Sequence, residues 1–98
     1  MRYHIKGRAK YEIAQFYHNV IRKYRHTYSN ELMHRNIDTA IDAMFQIERT
    51  LLRRKPTLQR WQQEGWHMAH AGKWYYAYSI SEDTITIEDA CHEQNMNE

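Results

Sequence analysis

The chain is poor in the residues that punctuate or cross-link a fold: among 98 residues there are one cysteine, one proline and three glycines. A single cysteine, Cys91, excludes an internal disulfide framework, on which small secreted scaffolds depend. Gly7, Gly65 and Gly72 stand far apart, so there is no glycine-rich phosphate loop. Uninterrupted apolar runs are only a few residues long, too short for a helix across a bilayer. Met1–Lys6 lacks an apolar h-region. The expectation is therefore a chain without a secretory signal, held in a reducing cytoplasm.

What is plentiful points to a globule. Hydrophobic residues make up 42% and charged residues 27%, close to ordinary usage. Eight tyrosines among 13% aromatics argue against disorder. The length suits one domain, residues 1–98, with one core. Charge is split along the chain. Residues 1–60 hold thirteen of the fourteen Lys and Arg against five acids, net +8. Residues 61–98 hold one lysine against seven acids, net −6. Either one part of the fold meets an anionic partner, or a basic half pairs with an acidic half inside the fold.

Periodicity gives the elements. Arg2–Lys6 alternates and reads as a short strand. From about Ala9 to Arg25, the stripe Ile13, Phe16, Tyr17, Val20, Ile21 and Tyr24 has helical spacing. Lys10, Arg22, Lys23 and Arg25 read as cations that solvate this helix. A second helix is expected from Asn30 to Leu52, capped by Ser29 or Asn30, with Met33, Ile37, Ala40, Ile41, Met44, Ile47 and Leu51 as its stripe. Pro56 stops helix at Lys55, and Leu58–Gln63 suits one further turn. Three strands follow from Trp66, turning at Gly72 and at Ser81-Glu82-Asp83, with a polar tail from His92 to Glu98.

The fold class is thus α+β, in the order β-α-α-β-β-β. One sheet face, with Trp74, Tyr76, Tyr78, Ile80, Ile85 and Ile87, should lie on the helical hairpin. The other should carry His67, Ala69, Tyr75, Ala77, Ser79, Thr86, Glu88 and His92. A one-residue slip in register would exchange the sets. Two helices can cover only one face, so the second face is the expected site.

The element order, the basic Arg53-Arg54-Lys55-Pro56 loop and the stretch Gly72-Lys73-Trp74-Tyr75-Tyr76-Ala77-Tyr78-Ser79-Ile80-Ser81-Glu82-Asp83-Thr84-Ile85-Thr86-Ile87 resemble the RelE/ParE family of bacterial type II toxins. In that family a glycine precedes an aromatic–Arg–apolar–x–Tyr strand, an acidic turn and an apolar last strand. The sequence signal lies in roughly residues 65–95. The resemblance implies a toxin that cuts mRNA on the ribosome, or one that inhibits DNA gyrase. It also implies a cognate antitoxin protein, a toxin–antitoxin hetero-oligomer, no cofactor and no membrane. With Tyr78 as the strand tyrosine, the family's arginine position holds Tyr75, so the cation that would steady phosphate charge is missing there. His92 is the nearest match to the family's acid–base groups after the last strand.

Metal-free RNA cleavage needs a base, an acid and a cation at phosphate. The candidates are His92, Tyr75, Glu88 and His67. Arg53, Arg54, Lys55, Arg60 and Lys73 are candidates for holding RNA phosphates. For each there is a plainer reading: a solvated surface side chain, or for Glu88 a salt bridge. His67 and His70, three apart on a strand, point to opposite faces, and Cys91-His92 has no second pair at ligand spacing, so no metal site is expected. Two functions stay open: a ribosome-dependent endoribonuclease, or a non-catalytic binding module of the same fold that inhibits gyrase or only binds its antitoxin.

Overall fold

The computed structural model describes residues 2–50 and 55–96. The expected order is present. Strand β1 (Arg2–Ile5) leads into α1 (Gly7–Lys23) and α2 (Asn30–Met44), followed by the short helices α3 (Ile47–Thr50) and α4 (Gln59–Gln63). Strands β2 (His67–Ala71), β3 (Trp74–Ser81) and β4 (Thr84–His92) close the chain with a 3-10 turn at Glu93–Asn95. The sheet runs β1-β4-β3-β2, antiparallel except for the parallel β1–β4 pair. Two-residue loops close both hairpins, and Gly72 (φ +64°) and Glu82 (φ +55°) supply the left-handed backbone these need. For Glu82 that conformation is strained.

Both long helices lay their apolar stripes on the sheet. Ala9, Ile13 and Tyr17 of α1, and Met33, Ala40 and Met44 of α2, meet Trp74, Tyr76, Tyr78, Ile85 and Ile87 in one buried cluster. Buried rings bring their polar atoms with them. The Trp74 indole N–H donates to the Tyr17 hydroxyl at 3.0 Å, and the Tyr76 hydroxyl donates to the Ala40 carbonyl at 2.6 Å. Each bond ties β3 to a different helix. Burial accordingly pushes both phenols above their ordinary pKa.

Of the two expected caps, Ser29 and Asn30, it is Ser29 that caps α2, its hydroxyl accepting from the Leu32 N–H at 3.1 Å. The helix does not run on to Leu52. It stops at Met44 because the Tyr3 hydroxyl enters its hydrogen-bond ladder, donating to the Phe45 carbonyl (3.2 Å) and accepting from the Glu48 N–H (3.0 Å). Arg49 N–H turns instead to the Gln46 carbonyl. Ile47, read as part of one long stripe, is buried on α3 beyond the break, while Leu51 and Leu52 lie outside the described residues.

Two further differences concern the sheet. First, its second face is not open. Helix α4 sits on it, with Trp61 and Leu58 fully buried against Met68, Ala77 and Cys91. The small Ala77 and Cys91 leave room for the indole. Second, β4 carries a bulge. Ala77 pairs with Asp89 and Tyr78 with Ile87, leaving Glu88 as the extra residue. Beyond it the alternation inverts, so Ala90 and His92 face the helices while Asp89 and Cys91 face α4. His92 therefore belongs to the buried end of β4 and not to a loose tail.

The charge split is partly resolved inside the fold. Lys6 pairs with Glu88, Arg8 and Arg60 approach Asp89, and Arg2 approaches Asp83. Each joins a cation of the basic part to an acid of the acidic part.

Candidate functional site

On the α4 side of the sheet Tyr75 is half-buried and stacks on the exposed ring of His70, centroids 4.3 Å apart. Glu88 is buried and fully engaged: its Oε2 accepts from the Ser79 hydroxyl at 2.7 Å, and Lys6 Nζ lies 2.6 Å from Oε1, which has no other partner among the described residues. That pairing is the plainer of the two roles expected for Glu88. Asp89, expected only as part of an acidic chain end unfavourable to RNA, is the hub of this side. Its Oδ2 accepts from the Trp61 indole at 2.8 Å, its Oδ1 accepts from the Ala90 N–H at 2.9 Å, and Arg8 and Arg60 lie 3.5 and 3.7 Å away. A buried carboxylate is tolerated only with such a set of donors.

His67 and Ala69 were placed beside Tyr75 by strict alternation from β3, and this is reversed. In the β2–β3 register His67 pairs with Tyr78 and Ala69 with Tyr76, which puts both on the α1–α2 side. Met68 and His70 take the α4 side instead. The divergence of His67 and His70 is as expected.

His92 also faces the helices. Its ring stacks flat on Phe16, centroids 4.0 Å apart and 10° from parallel, and meets Trp74 edge-on at 5.2 Å. Nδ1 accepts the Gln94 N–H at 3.2 Å, capping the 3-10 turn. Nε2 has no protein partner among the described residues and is not sealed from solvent. Burial, assisted by Lys73, holds the imidazole below its ordinary pKa, although Glu93 opposes this.

Two hollows meet at this ring. The larger, about 740 Å³, is open to solvent between the α1–α2 hairpin and the β2–β3 loop. Phe16, Tyr17, Val20, Ala40 and Trp74 give it an apolar floor, and Lys23 and Lys73 stand at its rim with Asn19 and Asn36. The Asn36 amide donates to the Tyr28 hydroxyl at 2.5 Å, on the same wall. The smaller hollow, about 230 Å³, lies towards α4 and is bordered by Glu12, Gln15, Arg60 and Cys91. Phe16, Asn19, Trp74, His92 and Asn95 border both. Burial pushes the Cys91 thiol up, against the pull of Arg60, so it is a poor nucleophile.

Of the expected catalytic group, then, only His92 reaches the hollows. Tyr75 and Glu88 lie on the other side of the sheet, and His67 does not border either hollow. Two of the expected phosphate cations fall beside His92: Lys73 in the larger hollow and Arg60 in the smaller. Lys55 is exposed next to the buried Pro56 and borders neither, while Arg53 and Arg54 lie outside the described residues. Phe16 and Tyr17 were read as core, which they are, but they also form the groove floor. Lys73 at the rim was an expected cation, whereas Lys23, one turn from Asn19 on the polar edge of the same stripe, was expected only to solvate its helix. No helix among the described residues is long and apolar enough to cross a membrane. No protein-family model matches the chain, and no curated protein matches it.

Proposed function

We propose that the protein is the toxin component of a type II toxin–antitoxin pair, of the RelE/ParE kind, acting in the cytoplasm by binding rather than by cutting RNA. The family reading is supported by the β-α-α-β-β-β order together with the residues of 72–87. The observation that favours binding is the separation of the acid–base candidates. Tyr75 and Glu88 lie on one side of the sheet, His92 and His67 on the other, and Glu88 is occupied by Lys6 and Ser79. General acid–base catalysis needs its groups within hydrogen-bond reach of one substrate. What the helix side offers instead is an aromatic trough with lysines at the rim. It suits a partner segment with an apolar anchor and acidic flanks, such as an antitoxin tail.

One observation favours the ribonuclease reading: His92, whose Nε2 has no protein partner among the described residues, lines the same trough as Lys73. Mapping mRNA ends in a cell-free translation reaction separates the two. Binding predicts unchanged ends with folded protein added, and a supercoiling assay then tests gyrase as the target. New ribosome-dependent ends that vanish in His92→Asn would overturn the binding reading. For the partner, Lys23→Glu with Lys73→Glu should abolish co-purification with the product of the neighbouring reading frame. Retention of that partner by the folded double variant would remove the trough as its seat.

A further inference from the structure

The 3-10 turn Glu93–Asn95 lines the larger hollow, and few bonds among the described residues hold it. Its backbone reaches the rest of the fold through Glu93 N–H to the Lys73 carbonyl (2.9 Å) and Gln94 N–H to His92 Nδ1 (3.2 Å). Met96, just past the turn, packs on the Trp61 cluster. We propose that His92 is an acid-sensitive latch: its protonation releases the Glu93–Asn95 turn, so that the two hollows on either side of the Phe16–His92 stack join into one trough.

The chemistry is local. Nδ1 accepts the Gln94 N–H only through its lone pair, so the acting tautomer carries its proton on Nε2. A second proton must go to Nδ1, where it abolishes the bond and sets two donors against each other. Every charged or titratable group that faces the ring bears on the balance. From β4 and the turn come Cys91 and Glu93, and the acid of Glu93 favours the cation. Lys73 on the β2–β3 loop opposes it, and Arg60 on α4 borders the smaller hollow. From α1, Glu12 borders the same hollow as the ring, and the Tyr17 phenol stays neutral. Stacking on Phe16 also favours the cation. Burial and Lys73 prevail over these, leaving the pKa below the ordinary histidine value. The sign follows. Between that lowered value and about 6.5 the released turn binds more protons than the latched one, so latching weakens as pH falls through this window.

Two-dimensional NMR of the uniformly 15N-labelled protein tests this between pH 7.5 and 4.5. The His92 ring resonances should titrate below pH 6.5, and the Gln94 amide should shift with the same midpoint. Its hydrogen exchange, corrected for intrinsic pH dependence, should rise at least tenfold across that midpoint. Asn95 and Asn19, on the joined border, should follow, while the Asp89 amide should not. In His92→Asn the side-chain oxygen can still accept the Gln94 N–H but cannot titrate, so the transition should vanish. If the Gln94 amide stays fixed while the wild-type His92 ring titrates, the latch is wrong. The same holds if His92→Asn shows an identical acid transition. Because the isolated protein is observed, neither result depends on what the trough binds.

Discussion

The two sides of the sheet are covered in opposite ways. On one, two helices of 17 and 15 residues bring aliphatic stripes, and the rings beneath them are held by neutral hydrogen bonds. On the other, a five-residue helix brings one indole and a ring of charges around Asp89. The better-covered side is the one with the open trough. A 17-residue helix is a rod of about 25 Å, whereas a sheet twists beneath it. Two such rods leave a wedge where they diverge from the strands. A short helix carrying one large ring seats itself with only the smaller hollow beside it. Mass of covering structure is therefore a poor guide to where a site lies.

That contrast can be broken on its short side first. Trp61→Ala removes the whole plug and leaves Asp89 without its best donor, and should cost about 3–5 kcal/mol, as large core truncations do. Urea unfolding followed by circular dichroism measures it, and a loss under about 1 kcal/mol would mean that α4 merely rests on the sheet. On the long side, Tyr76→Phe deletes one hydroxyl and leaves the ring in place. It should cost about 1 kcal/mol, the usual value of a single neutral hydrogen bond. A loss as large as that of Trp61→Ala would show that α2 hangs on this one bond. The smallest effect belongs to neither side. Glu82→Gly relieves a left-handed residue in the β3–β4 loop and should stabilise the fold by ~0.5 kcal/mol, seen as a slightly higher urea midpoint, once glycine's extra chain entropy is set against the strain.

Much of this architecture was legible in the sequence, because spacing reports which residues must be hidden. The stripes of α1 and α2, the Ser29 cap and the β3 face with Trp74, Tyr76 and Tyr78 all followed from it. Periodicity cannot report a contact made by a residue distant in sequence. The end of α2 at Met44 depends on the hydroxyl of Tyr3, more than forty residues away. The seating of Trp61 depends on Ala77 and Cys91 being small. The positions of His67 and His92 were missed for a different reason. Each was extrapolated by alternation across a register that the sequence does not state, one through the β2–β3 pairing and one through the bulge at Glu88. The groove escaped notice because Phe16 and Tyr17 are core on one edge of their rings and wall on the other.

The bulge at Glu88 sets the parity of every side chain that follows it in β4. Flattening the bulge with Glu88 taken into the ladder would return Asp89 to the helix side and His92 to the side of Trp61, burying a carboxylate among aliphatics and aiming an imidazole at the indole. Deleting Glu88 would instead keep every face as it is, because Ile87 and Asp89 would then alternate without a bulge. Seen this way, the last four residues of the strand form a cassette whose phase is set by one position. Regular pairing of Glu88 would exchange its contents between the two faces of the protein without altering a single residue within it.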